Sequence, residues 1–251
     1  MLRLMCVGDS QTIGSAGEHT WRYRLWEHLR DTLDAPFRFV GPRETLYDTA
    51  QDAPVSLEYP PDTAAAFPRA HLAGWGEGWL HMAPLIREAV TAHRPGVLLV
   101  SLGLIDLGFY TDAGQTAANV RAFVAEARAA NPRVRFLILP VIPNVRAQTD
   151  TPFGAEVAHF NELLAKTAAD LDTARSPVLL AAPPTDYDLA SDTHDGTHPG
   201  ASGAHKLAAA FARALHEEWG WGEPYESAED SRGAGSTGYS GHAEHWGHSG
   251  W

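Results

Sequence analysis

Leu2-Arg3-Leu4-Met5-Cys6-Val7-Gly8-Asp9-Ser10 is a mostly apolar run that ends in a glycine, a short acid and a serine. It reads as a first strand closed by a sharp turn. Glycine and aspartate permit that turn, and a serine at its tip exposes its hydroxyl while its N–H stands near the start of the next helix. Four more β-branched or leucine-rich runs follow at 37–40, 97–101, 134–139 and 177–181. Longer segments of helical period separate them, the pattern of a parallel sheet covered by helices on both faces. Trp21, Leu25, Trp26, Leu29 and Leu33 share one helical stripe; so do Val120, Phe123, Val124 and Ala127, and later Ala204, Leu207, Ala208, Phe211 and Leu215. These stripes are expected to face the core. The expectation is a three-layer α/β/α domain with a five-stranded parallel sheet in flavodoxin-like order.

Composition sets the limits. The chain has 251 residues and a net charge of −12, which would repel a phosphate backbone, so nucleic acid is not expected as a partner. Hydrophobic residues make up 44%, enough for a sizeable core. The apolar stretch 97–105 is far shorter than the roughly 18 residues needed to cross a bilayer, so no membrane span is expected. The apolar start carries Arg3 and runs straight into Gly8-Asp9-Ser10 with no small-residue cleavage site, which places the protein in the cytoplasm as an expectation. Cys6, the lone cysteine, sits inside that run and reads as a buried structural thiol.

Two segments stand apart. Residues 41–78 hold Pro42, Pro54, Pro60, Pro61 and Pro68, too long a connection for a simple turn; it is either a lid or substrate wall, or a surface excursion. Residues 223–251 contain six glycines, five serines and five acids against one arginine. The domain reading is therefore a catalytic unit over 1–222 and an acidic tail over 223–251 that accounts for −4 of the charge.

In an open α/β sheet, ligands bind beyond the carboxyl ends of the strands. One such place is Gly8-Asp9-Ser10-Gln11-Thr12. Another is Asp192-Thr193-His194-Asp195-Gly196-Thr197-His198-Pro199-Gly200, just before the last helical stripe. A serine hydroxyl is a poor nucleophile at neutral pH; it needs a histidine as base, and the histidine needs an acceptor that fixes its tautomer. Asp195, three residues before His198, can meet the imidazole on one turn.

GDSQTIGS after the first strand and DGTHPGASGAHKLA opening the final helix, with Ser10 and His198 188 residues apart, resemble the SGNH or GDSL hydrolase family. TWRYRLWEHL, over 20–29, is similar to its esterase-like branch. The resemblance implies Ser10 as nucleophile, His198 as general base and Asp195 as its orienter, acting on an acyl or acetyl ester of a small molecule with no cofactor or metal. It further implies an oxyanion hole made from the Ser10 N–H, a glycine N–H in AGWGEGW, and an asparagine side chain. Gly76 is the expected glycine, with Gly74 and Gly78 as rivals. Asp9, Gln11, Gly103 and Asp106 are expected around the pocket.

The third block departs from the family pattern. Gly103-Leu104-Ile105-Asp106 stands where the family has Gly-x-Asn-Asp, and isoleucine cannot donate a hydrogen bond. Losing one such donor costs roughly 100- to 1000-fold in turnover. Three readings stay open. Asn144, in LPVIPNVR, takes over as donor or merely forms a turn; or the pocket around Ile105 serves another reaction, such as acyl transfer; or the chain is a non-catalytic binding protein.

The 13 histidines invite a metal reading. His28, His93, His159 and His216 lie singly on helical segments and read as structural. His194 and His205 flank the proposed base and either tune it or serve the loop and helix. His242, His245 and His248 recur every third residue, but Gly241, Gly247 and Gly250 oppose a helix there, so no metal site is expected. The tail is then flexible, or covers a partner subunit through Trp246 and Trp251 in a homo-oligomer.

Overall fold

The computed structural model describes residues 1–225. Among the described residues there are eight strands: β1 (Leu2–Gly8), β2 (Phe37–Phe39), β3 (Leu46–Asp48), β4 (Ala53–Ser56), β5 (Leu72–Ala73), β6 (Val97–Ser101), β7 (Arg135–Leu139) and β8 (Val178–Leu180). The helices are α1 (Ser10–Ile13), α2 (Trp21–Thr32), α3 (Trp79–Met82), α4 (Ile86–His93), α5 (Ala113–Ala130), α6 (Val145–Thr149), α7 (Thr151–Leu171), α8 (Leu189–Asp192) and α9 (Ala201–Trp219). A π-helical turn, Asp106–Tyr110, follows β6.

The five strands expected from sequence form a parallel sheet in the order β2-β1-β6-β7-β8, which is the flavodoxin-like order. Registers such as Gly8 with Ser101 and Ser101 with Leu139 bring the carboxyl ends of the three central strands level. That shared edge is where the first serine block emerges. The sheet also gains a sixth member that the sequence reading lacks: two-residue β5 pairs with β1 through Val7–Leu72 and Gly8–Ala73. Its brevity explains the omission, because two residues show no periodicity.

Strand alternation divides the core in two. Met5, Val7, Leu98, Val100, Phe136 and Ile138 face one side, packed with Trp79, Ile86, Phe123, Phe160 and Leu164 from α3, α4, α5 and α7. Leu4, Cys6, Leu99, Leu137 and Leu139 face the other, packed with Trp21, Leu25, Phe211 and Leu215 from α2 and α9. Trp21 is buried and stacks on Phe211 at 4.6 Å, as expected of its core-facing stripe. Truncating a fully buried phenylalanine such as Phe211 to alanine would cost about 3–5 kcal/mol. Cys6 is fully buried and desolvation pushes its thiol up to about 12, which removes it as a nucleophile.

Residues 41–78 contain the antiparallel pair β3–β4 and then β5. Tyr47 N–H donates to Gly14 O (2.9 Å) and Tyr47 O accepts from Ala16 N–H (2.8 Å), so this segment is sewn to the chain just after α1. It is a structural wall beside the first serine block. At the other end the chain stays attached beyond α9: Glu223 O is 2.7 Å from His28 Nε2, and the Tyr225 ring lies 4.8 Å from that of His28. The histidine triplet His242, His245 and His248, with Trp246 and Trp251, lies outside the described residues.

Candidate active site

Ser10 is the first residue of α1, and only Asp9 separates it from the end of β1. Asp9 caps that helix, its Oδ1 accepting from Gln11 N–H at 3.0 Å. As the first helical residue, Ser10 keeps an N–H with no intrahelical partner. The block before α9 meets it across the sheet edge: Ser10 Oγ lies 3.0 Å from His198 Nε2, and His198 Nδ1 lies 2.7 Å from Asp195 Oδ2. Asp195 Oδ1 also accepts the N–H groups of Thr197 (2.9 Å) and His198 (2.8 Å). Burial pushes the Asp195 carboxyl up, yet these hydrogen bonds outweigh it and hold the group below its ordinary value.

The loop carrying this pair is anchored on several sides. His194 N–H donates to His198 O (2.9 Å) and Val145 N–H to Gly196 O (2.8 Å). Gln11 Nε2 donates to Thr197 O (2.9 Å), tying the serine helix directly to the histidine loop. Asp192, the other acid in the block, is buried and takes Lys206 Nζ (2.8 Å) and Ser202 Oγ (2.7 Å), so it anchors the loop to α9. His194 pairs with Glu18 at 3.0 Å, and His205 contacts the Tyr225 hydroxyl. The rings of His28 and His216 meet backbone carbonyls, and His93 accepts Arg3 through its own backbone oxygen.

Donor use separates the three glycines. Gly74 N–H donates to Gly8 O (3.1 Å) and Gly78 N–H to His81 Nδ1 (3.1 Å). Gly76 N–H has no partner among the described residues, and Gly76 adopts φ +71 with open space where a side chain would project. The loop is held on both flanks. Arg43 pairs with Glu77 at 2.5 Å and donates to Ala73 O (3.1 Å), while Asp106 accepts the N–H groups of Trp79 (2.8 Å) and Leu80 (3.0 Å).

A cavity of about 400 Å³ opens beside Ser10 and His198. Gly76, Ile105 and Asn144 line it, together with Trp75, Leu104, Phe109, Tyr110, Arg146, Phe153 and Thr197. Asp9, Gly103 and Asp106 do not line it. Asp9 and Asp106 are buried as caps of α1 and α3, and Gly103, at φ +131, packs where any side chain would strike Phe160 and Val141. Gln11 touches only the small recess on the other side of Ser10. Burial, with a smaller push from the Asp106 charge, raises the Asp9 carboxyl to about 7 against the pull of the Gln11 N–H. Burial raises Asp106 as well.

Asn144 has a double engagement. Its Oδ1 caps α6 by accepting Ala147 N–H (3.1 Å), and its Nδ2 donates to Thr197 Oγ1 (3.2 Å), leaving one amide proton in the cavity wall. Trp75, absent from the sequence reading, stacks on the His198 ring at 4.6 Å and 16°, and Tyr47 stacks behind it at 4.0 Å and 13°. The clue was the aromatic–glycine texture of AGWGEGW. No single residue there indicates which ring meets the histidine. Among the described residues, no group of His, Cys, Asp or Glu is placed to hold a metal ion, and no helix is long and apolar enough to cross a membrane.

An α/β/α sheet of this order, with serine, histidine and aspartate in line over its carboxyl edge, defines the SGNH-type fold class. The chain belongs to the GDSL-like lipase/acylhydrolase family, whose family model matches residues 6–206. A multidomain esterase of Ruminococcus flavefaciens is 23% identical over 214 residues, which cover 82% of this chain and 27% of that protein. The chain thus spans about a quarter of that relative's length. Among solved structures, a carbohydrate esterase family 3 protein from Talaromyces cellulolyticus superposes with a TM-score of 0.69 at 22% identity, covering 86% of this chain and 97% of the other. A family 3 carbohydrate esterase of Clostridium thermocellum gives 0.63 at 20% identity, covering 86% and 96%. Likeness at that identity establishes the shared fold.

Proposed function

We propose that this protein is a serine-dependent hydrolase of small-molecule acyl or acetyl esters. The observation that carries this reading is the unbroken line Ser10 Oγ to His198 Nε2 (3.0 Å) and His198 Nδ1 to Asp195 Oδ2 (2.7 Å), opening on a cavity large enough for a small ester. His198 takes the Ser10 proton as Oγ attacks the ester carbonyl carbon, and Asp195 stabilises the imidazolium that forms. The N–H groups of Ser10 and Gly76 receive the oxyanion. Asn144 supplies the third donor in place of the isoleucine at 105. The intermediate collapses with His198 protonating the departing alcohol; water, deprotonated by His198, then cleaves the acyl-enzyme and releases the carboxylic acid. The esterases among the similar proteins point the same way.

The test treats wild type and Ser10→Ala with an organophosphonate probe and a short-chain aryl ester. Wild type is expected to label at Ser10 and to hydrolyse the ester, with the variant doing neither. Equal behaviour of the two proteins would overturn the serine-nucleophile reading.

A further inference from the structure

The cavity beside Ser10 is apolar on most of its wall, through Leu104, Ile105, Phe109 and Phe153, yet one permanent cation sits in it. Arg146 is fixed there by two contacts. Its guanidinium lies 4.1 Å above the Phe153 ring centre, and Nη1 donates to Gly108 O at 3.1 Å. Its Nε faces Asp150 Oδ2 at 3.6 Å, beyond hydrogen-bond reach, so the ion pair leaves the Nη2 edge and the second Nη1 proton unspent. A half-exposed guanidinium seated over a ring with an unused fork suits a planar anion such as a carboxylate. Apart from the His198 base, Arg146 is the sole basic side chain among the described residues that line this cavity. With a chain charge of −12 an anion gains nothing from the protein's overall field, so its recognition has to come from such a short-range contact.

Resting on the ester-hydrolase reading, we propose that the substrate is an ester whose apolar body ends in a carboxylate or equivalent anion away from the scissile bond. Arg146 binds that anion while Ile105, Leu104 and Phe109 cover the body between it and Ser10. Ile105 then belongs to the substrate-binding wall, which explains an aliphatic residue at that position. The anion can reside on the acyl half or on the alcohol half, and matched esters separate the two.

The experiment measures kcat/KM for mono-4-nitrophenyl succinate against 4-nitrophenyl butyrate, and for 4-acetoxybenzoate against phenyl acetate, on wild type, Arg146→Gln and Arg146→Lys. Wild type is expected to favour the anionic member of one pair by roughly tenfold, mainly through KM, with the preference gone in the glutamine variant and partly kept in the lysine variant. Because the readout is a ratio, a general loss of activity cancels. The pair that shows the preference identifies the half that carries the charge. An equal ratio in wild type and Arg146→Gln, or a preference for the neutral esters, would overturn the proposal. Calorimetric titration with 4-phenylbutyrate reads the anion site without turnover. Binding that weakens about tenfold in Arg146→Gln supports the site even if no ester is cleaved, which is the separate failure of the hydrolase reading, and equal affinity overturns it.

Discussion

At the scale of single residues, two side chains divide the work expected of one. Ile105 lines the cavity but offers no donor, whereas Asn144 lines the same wall with one amide proton left over from its contact with Thr197. If Asn144 is the third oxyanion donor, Asn144→Ser, which keeps a helix-capping oxygen, lowers ester turnover by about 100-fold with little change in KM. Ile105→Asn then adds a redundant donor and raises turnover by less than about tenfold. Steady-state kinetics on both variants checks the pair, and a large gain at 105 with no loss at 144 would reverse the assignment. Asp9 invites a different measurement. Its carboxyl is raised to about 7 in the folded protein, above the 3.8 of an ordinary aspartate. Its neutral form therefore stabilises the fold fully below pH ~4, and that contribution is lost as pH rises through about 7. Asp9→Asn keeps an acceptor for Gln11 N–H without the charge. The melting temperature of wild type should fall relative to that of Asp9→Asn between pH 4 and 8, by an amount equivalent to as much as about 4 kcal/mol; parallel curves would show that Asp9 does not titrate in this range.

Elements explain how the site stays aligned. The short β3–β4 pair would be marginal alone, but it is sewn to the turn after α1 and sends Tyr47 against Trp75, which in turn covers the His198 ring. One loop thus presents the Gly76 N–H and braces the histidine. Tyr47 is outside the cavity lining, so Tyr47→Leu tests the brace free of substrate contact. The expected result is a two- to fivefold fall in turnover at unchanged KM, in keeping with about 0.5–1 kcal/mol for one aromatic contact. A change confined to KM would make Trp75 a substrate platform instead. Helix α2 braces from the other side. Its buried Arg22 donates to Thr12 O (2.7 Å), Ile13 O (3.0 Å) and Arg69 O (3.0 Å), holding the end of the serine helix to the segment before β5.

Across the whole molecule, the folded unit reaches past the glycine at 222. Glu223 and Tyr225 pack against His28 on α2 and the Tyr225 hydroxyl contacts His205 on α9. A chain ending at Gly222 is expected to be about 1–2 kcal/mol less stable than one ending at Tyr225, the usual scale for a partly buried contact set. Urea denaturation of the two lengths checks this. Equal stability of the two would detach residues 223–225 from the fold.

Apolar runs, helical stripes and the two polar blocks were readable from the chain because each is a local pattern: β1, β6 and β7 are short apolar runs buried on both faces, and the Gly8-Asp9-Ser10 turn and the Asp195–His198 spacing each lie within a few residues. By itself, the sequence therefore determined the sheet, its helical layers and the residue types of the candidate site. Contacts between distant segments left no such pattern. Which of three glycines kept a free N–H, which tryptophan stacked on the histidine and where Arg146 pointed were decided by the packing of residues 41–78, the π-helical turn and α6 around the sheet edge. Those placements depend on side-chain geometry across long sequence separations, so only the tertiary structure could set them.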